Sequence, residues 1–180
     1  MASIKVGLPP IASDDARLFI LGSLPGDASL GARQYYAHPT NQFWRLLGGV
    51  LGEDLHALGY HQRLQRLAER RIGLWDVIAS AERRGSLDQA IRVAEHNRIG
   101  QLLRNFGDVR AIAFNGATAA RAGRKLIGEP PDGIALIDLP SSSAANTTAF
   151  EEKARAWAVL APFAADSQPF PCAERRGRHD

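Results

Sequence analysis

Apolar residues along this 180-residue chain fall into short, regularly separated runs. Arg17-Leu-Phe-Ile-Leu21 is a continuous apolar stretch ending at Gly22, the pattern of a strand covered on both faces. From Gln42 the segment FWRLLGGVL carries apolar residues at helical spacing, with Thr40 or Asn41 placed to cap its first turn. An amphipathic stretch from Tyr60 to Arg71 leads into a second apolar run, Gly73 to Ile78, and the alternation then repeats. Arg98–Phe106 and Gly116–Leu126 read as helices, and Val109–Phe114 and Ile134–Leu139 as strands. Thr148-Ala-Phe-Glu151 has the spacing of a capping box opening a last helix to about Leu160. This order predicts an α/β fold: three α/β/α layers around a central, mostly parallel four-stranded sheet. One domain is expected over residues 1–165, with a polar, Pro-rich tail at 166–180 expected to be disordered.

In open parallel sheets, ligands bind beyond the carboxyl ends of the strands, where loops and helix N-termini converge. Three polar segments fall there. The first, Gly22 to Asn41, is long for a connection in a compact α/β domain; the others are Asn115-Gly116 and Leu139 to Thr148.

The formal charge of +3 and the sequence pI of about 9.4 suit a polyanionic partner without demanding one. No run approaches the roughly 18 apolar residues of a membrane span, and MASIKVGLPP lacks a basic stretch followed by an apolar one. A soluble, cytoplasmic protein is expected. The lone cysteine, Cys172, cannot build a disulfide framework, a Cys-based zinc site or a protein-ligated iron–sulfur cluster within one chain. Histidines 38, 56, 61, 96 and 179 are scattered outside metal-binding spacings. No metal and no cofactor are expected.

The segment Gly22 to Leu47, GSLPGDASLGARQYYAHPTNQFWRLL, joins a G-x-x-P-G turn (Gly22, Pro25, Gly26) to an H-P-x-N-x-F-W stretch (His38, Pro39, Asn41, Phe43, Trp44). A second motif, Leu139-Pro-Ser-Ser-Ser-Ala-Ala-Asn146, follows the last expected strand. Together these resemble the two active-site motifs of the uracil-DNA glycosylase superfamily, and their form is most similar to its hypoxanthine-DNA glycosylase family. The resemblance runs from about Arg17 to about Leu160. It implies an enzyme that hydrolyses the N-glycosidic bond of deaminated bases in DNA, hypoxanthine foremost; none of the three lysines lies in the matched motifs, so a monofunctional mechanism is expected, and so is a monomer. Uracil or mismatched pyrimidines are the alternative substrates, and a non-catalytic damaged-DNA binder is the alternative class.

A buried glycosidic bond is reached by flipping the nucleotide into a pocket with a flat apolar face. The resemblance places Phe43 as that face; Ser23, Leu24, Tyr35 and Tyr36 are further candidates to line the same pocket, and the plain alternative for Phe43 is a core residue of an amphipathic helix. Cleavage builds positive charge on the sugar and negative charge on the base, which calls for a positioned water and donors aimed at the base. Other branches of the superfamily carry Asp, Asn or Glu where this chain has Leu24. The resemblance therefore makes Asn41 the catalytic candidate, orienting water and stabilising charge, since an amide cannot act as a base at neutral pH. Its plain alternative is a helix cap. Asn115 is either a reader of the lactam edge or a cap. DNA contacts are expected from Pro25, Gly26, His38, Pro140, Ser141, Ser142, Ser143 and Asn146, the last also a candidate plug for the gap left by the flipped base.

Overall fold

The computed structural model describes residues 3–164. Every residue of strand β2 (Leu18–Gly22) is buried, because parallel partners flank both its edges and helices cover both its faces. β3 (Ile72–Asp76) lies on one side, β6 (Ala111–Asn115) on the other and β7 (Ala135–Leu139) beyond it, so the order is β3-β2-β6-β7. All pairs in this sheet are parallel. The α/β expectation holds.

Alternation along β2 divides the core in two. Leu18 and Ile20 point to a cluster that includes Phe43, Trp44, Leu47, Leu67 and Trp157. These come from helices α2 (Phe43–Leu51), α3 (Tyr60–Glu69) and α6 (Phe150–Trp157). Phe19 and Leu21 point to the opposite cluster, built with α4 (Ile99–Asn105) and α5 (Ala117–Ile127). The short helix α1 (Asp27–Ala32) sits within the first long loop, and α7 (Ala161–Ala164) continues the helical end past Leu160. The tail expected from residue 166 lies outside the described residues.

A second sheet has no counterpart in the sequence reading. β1 (Ser3–Val6), β4 (Ile78–Arg83) and β5 (Ile91–His96) form an antiparallel trio in the order β1-β4-β5. Only Val77 separates β4 from β3, so the two strands read as one apolar run. On the outer strands apolar side chains face solvent, with Ile4 71%, Val6 66% and Val93 79% exposed. Such a pattern carries no signal of a buried face. The capping box is also absent: Ala149 precedes α6 without a side-chain cap, and the Thr148 hydroxyl donates instead to Asn146 Oδ1 at 2.8 Å.

Parallel register brings the strand ends level, Gly22 beside Asp76 and Asn115 beside Leu139. The three polar segments therefore meet at one edge of the sheet.

Candidate active site

The first loop leaves β2 through Gly22-Ser-Leu-Pro-Gly26, a turn held from below by a residue the sequence did not single out. Arg83, at the end of β4, is fully buried and donates to the Leu24 carbonyl at 3.1 Å and to the Pro25 carbonyl. Pro25 is buried with it, so its expected DNA contact finds no accessible side chain. The Leu24 side chain packs into the cluster on the α4/α5 face and not into a base pocket. The position that carries a polar, water-activating group in other branches thus points into the core. Ser23 donates to Asp88 Oδ1 at 2.7 Å, and Gly26 remains partly exposed at the start of α1.

Farther along the loop the chain turns through Tyr36, whose φ of 55° is unusual for a bulky residue. The turn lays its ring flat on Phe43, with centroids 3.7 Å apart and planes 8° from parallel. Phe43 is fully buried, with the edges of Trp44 and Trp157 also against it. Its ring therefore offers no free face, whereas Tyr36, stacked above it, is partly exposed. Tyr35 is structural: buried, its hydroxyl donates to the Pro9 carbonyl at 3.0 Å. His38 lies exposed, its Nδ1 2.9 Å from the Thr40 hydroxyl, in keeping with a place on the outer surface.

Asn41, Ser142 and Asn115 form one hydrogen-bonded chain. Ser142 Oγ donates to Asn41 Oδ1 at 2.9 Å and accepts from Asn115 Nδ2 at 2.9 Å, while Ser142 N donates to Asn115 Oδ1 at 2.8 Å. Asn41 Oδ1 also accepts from Phe43 N at 3.0 Å. With that oxygen doubly engaged, the amide orientation is fixed and the Asn41 NH2 is left as the group free to donate. Asn41 thus supports the start of α2 and still presents a donor.

Two expectations change here. Ser142 is 1% exposed and wholly committed, so it is no phosphate contact. Asn115 does not cap α5, which starts after Gly116 without a side-chain cap; buried, it clamps the second loop to β6 through Ser142. Gly116, with φ 104°, lets that loop approach: a Cβ there would come within 3.1 Å of Ser141 Cβ.

The rest of the second loop folds on itself. Ser141 Oγ accepts from Ser143 N and Ser143 Oγ from Ala145 N, both at 3.2 Å. Asn146 is tied back through its Nδ2 to the Ser141 carbonyl and its Oδ1 to Thr148, so it is not poised as a plug; the exposed tip is Ala144-Ala145. Pro140 accepts from Trp157 Nε1 at 3.1 Å. Lys153, a buried lysine of α6, donates to Gln42 Oε1 at 3.0 Å and to the carbonyls of Ser143 and Asn146 at 3.3 and 2.8 Å. It joins the two loops, as does Gln42 N to the Ser142 carbonyl at 2.9 Å. Beside this loop runs a groove of about 760 Å³ lined in part by Arg121, Arg124 and Ser141. Among the described residues no group of three His, Cys, Asp or Glu side chains could hold a metal ion, and no helix is long and apolar enough to cross a membrane.

The profile of the Uracil DNA glycosylase superfamily matches residues 9–161, spanning both loops. This chain belongs to that superfamily. Two relatives carry the name hypoxanthine DNA glycosylase. The one from Methanosarcina barkeri is 38% identical over 157 residues, covering 86% of this chain and 96% of its own length. The one from Methanosarcina acetivorans is 39% identical over 157 residues, covering 87% and 98%. A solution NMR structure from M. acetivorans, assigned to the uracil DNA glycosylases, superposes with a TM-score of 0.78 at 38% identity, covering 88% of this chain and 96% of that one. Within the superfamily frame, this glycosylase-like chain keeps both loop motifs but has no polar side chain at the Leu24 position.

Proposed function

We propose that this protein is a monofunctional DNA glycosylase that hydrolyses the N-glycosidic bond of deaminated bases in DNA, with hypoxanthine the preferred base. The observation that carries the reading is the Asn41–Ser142–Asn115 chain, which locks two loops 101 residues apart in sequence and leaves the Asn41 NH2 as an oriented donor. A flipped base stacks on Tyr36, backed by Phe43. The Asn41 NH2 then holds either the departing base or the attacking water, stabilising charge without taking a proton. The similarity to two proteins named hypoxanthine DNA glycosylase supports the choice of base.

The nucleophile is water. The Lys153 amine is held by three oxygens inside the protein, where it braces the loops, and Lys5, beside the first loop, is paired with Asp27 Oδ1 at 3.1 Å, so neither is placed to attack the sugar. Incubation with an inosine-containing duplex should leave an intact strand bearing an abasic site, broken only after alkali, with no adduct trapped by borohydride. Strand breaks without alkali, or a trapped protein–DNA band, would overturn the monofunctional mechanism.

A further inference from the structure

Asp76 ends β3 in the middle of an apolar run and is 3% exposed. Its partner across the sheet is Gly22, the first residue of the G-x-x-P-G turn. A Cβ placed on Gly22 would lie 2.5 Å from Asp76 Oδ1 and 3.1 Å from the Tyr36 hydroxyl oxygen. Only a glycine leaves this space, and the carboxyl and the phenol of the proposed stacking residue both reach it. Asp76 Oδ2 and the Tyr36 hydroxyl are buried without a hydrogen-bond partner. Nearby Arg83 spends its two terminal nitrogens on the Leu24 and Pro25 carbonyls. The carboxyl interacts with the Tyr35 hydroxyl, and its second oxygen lies unpartnered beside the proposed base platform.

We propose that Asp76 is the proton donor to the departing base, a catalytic role that rests on the glycosylase reading above. A purine leaves poorly as an anion and well once a ring atom is protonated. In the step, Asp76 gives its carboxyl proton to the purine as the C1′–N9 bond breaks and its electron pair passes to the base. Water adds to the sugar cation at C1′, and the proton it loses restores the acid through solvent. The sum is deoxyinosine in DNA plus water giving an abasic site plus neutral hypoxanthine. Activation of the leaving group in this way compensates for the apolar Leu24, since a better leaving group needs less help for the incoming water.

The groups facing Asp76 are Tyr35 and Tyr36 from the first loop, Arg83 from β4 and Asp88 from the turn after it; β2 contributes only Gly22. Burial pushes the Asp76 pKa up to about 7, the Asp88 charge adds to the rise, and Arg83 opposes it. The acid form is therefore populated near and below neutrality and lost above it.

Single-turnover release of hypoxanthine by the full chain, followed from pH 5 to 9.5, tests the proposal against Asp76→Asn, which keeps shape and burial. The wild type should lose activity above about pH 7. The variant should be roughly a hundredfold slower, without that alkaline limb and with unchanged DNA affinity. Its deficit should shrink at least tenfold on DNA carrying 8-azahypoxanthine, a base that leaves more readily without a proton. A variant that keeps wild-type rate and pH profile overturns the proposal, as does an equal deficit on both bases. Absence of base release by the wild type would overturn the glycosylase reading itself, a different outcome from either.

Discussion

Replacing Ser142 by Ala separates the two roles that its sequence context and its surroundings suggest. The hydroxyl is 1% exposed, bridges Asn41 Oδ1 and Asn115 Nδ2 at 2.9 Å each, and its loss leaves the backbone bond from residue 142 to Asn115 Oδ1 in place. Asn41 Oδ1 keeps its bond from Phe43 N, so that acceptor is not stranded. The Asn115 Nδ2 donor is stranded in a buried site, which costs about 1–3 kcal/mol, and one net hydrogen bond of about 1 kcal/mol goes with it. The expected destabilisation is about 3 kcal/mol, a fall in melting temperature of roughly 6–12 °C for a domain of this size. Held then by Phe43 N alone, the Asn41 amide is less firmly oriented, and excision should slow by roughly ten- to a hundredfold at saturating DNA. Calorimetry, single-turnover kinetics and the salt dependence of DNA binding form the assay. A phosphate-contacting serine would behave otherwise: stability within about 0.5 kcal/mol of wild type, and a salt dependence weakened by about one unit of slope. That pattern would refute the placement of Ser142 as an internal brace.

Three further outcomes follow from the same geometry. Asn41→Asp exchanges the free NH2 donor for an acceptor, so it should slow base release at least about tenfold, much as Asn41→Ala does; a faster Asp variant would show that the position activates water instead. An Asp76 carboxyl raised to about 7 makes the folded state hold a proton that the unfolded chain has released, so its stabilising contribution is complete below about pH 4 and lost as the pH rises towards 7. Asp76→Asn should consequently gain on the wild type across that window, by up to about 4 kcal/mol at pH 8, and equal pH dependence in urea melts would contradict the burial of this charge. Lys153→Met removes a donor from three oxygens of the two loops and should cost about 3 kcal/mol by urea denaturation, without abolishing the β-sheet signal in circular dichroism.

The central strands could be read from the chain because burial on both faces leaves an unbroken apolar run, as in Leu18–Leu21 and Ala111–Phe114. β1 and β5 could not, because Ile4, Val6 and Val93 face solvent and their strands alternate without a buried side. The loop motifs placed Asn41 at the site, yet its partners lie in distant segments: Ser142 looks like any residue of a solvated Ser-rich loop until a fold encloses it. Arg83 and Lys153 are likewise indistinguishable in sequence from exposed basic residues, since the partners that engage them include the Pro25 carbonyl and the Gln42 side chain, far along the chain. Asp76 did leave a trace, a lone carboxylate within GLWDVI, where a strand buried on both sides should hold none. Phe43 shows the reverse limit. A motif can place an aromatic near a pocket but cannot say that Tyr36 will lie on top of it.

The most direct test is chemical identification of the bases released from otherwise identical duplexes carrying inosine, uracil, xanthosine or only normal bases, by the wild type and by Asn41→Ala. Free hypoxanthine is expected from the inosine duplex, faster than any release from the uracil duplex, with none from normal DNA and a loss of at least about tenfold in the variant. Faster release of uracil would contradict the assigned base, and no release from any damaged duplex, with binding retained, would contradict the enzyme itself.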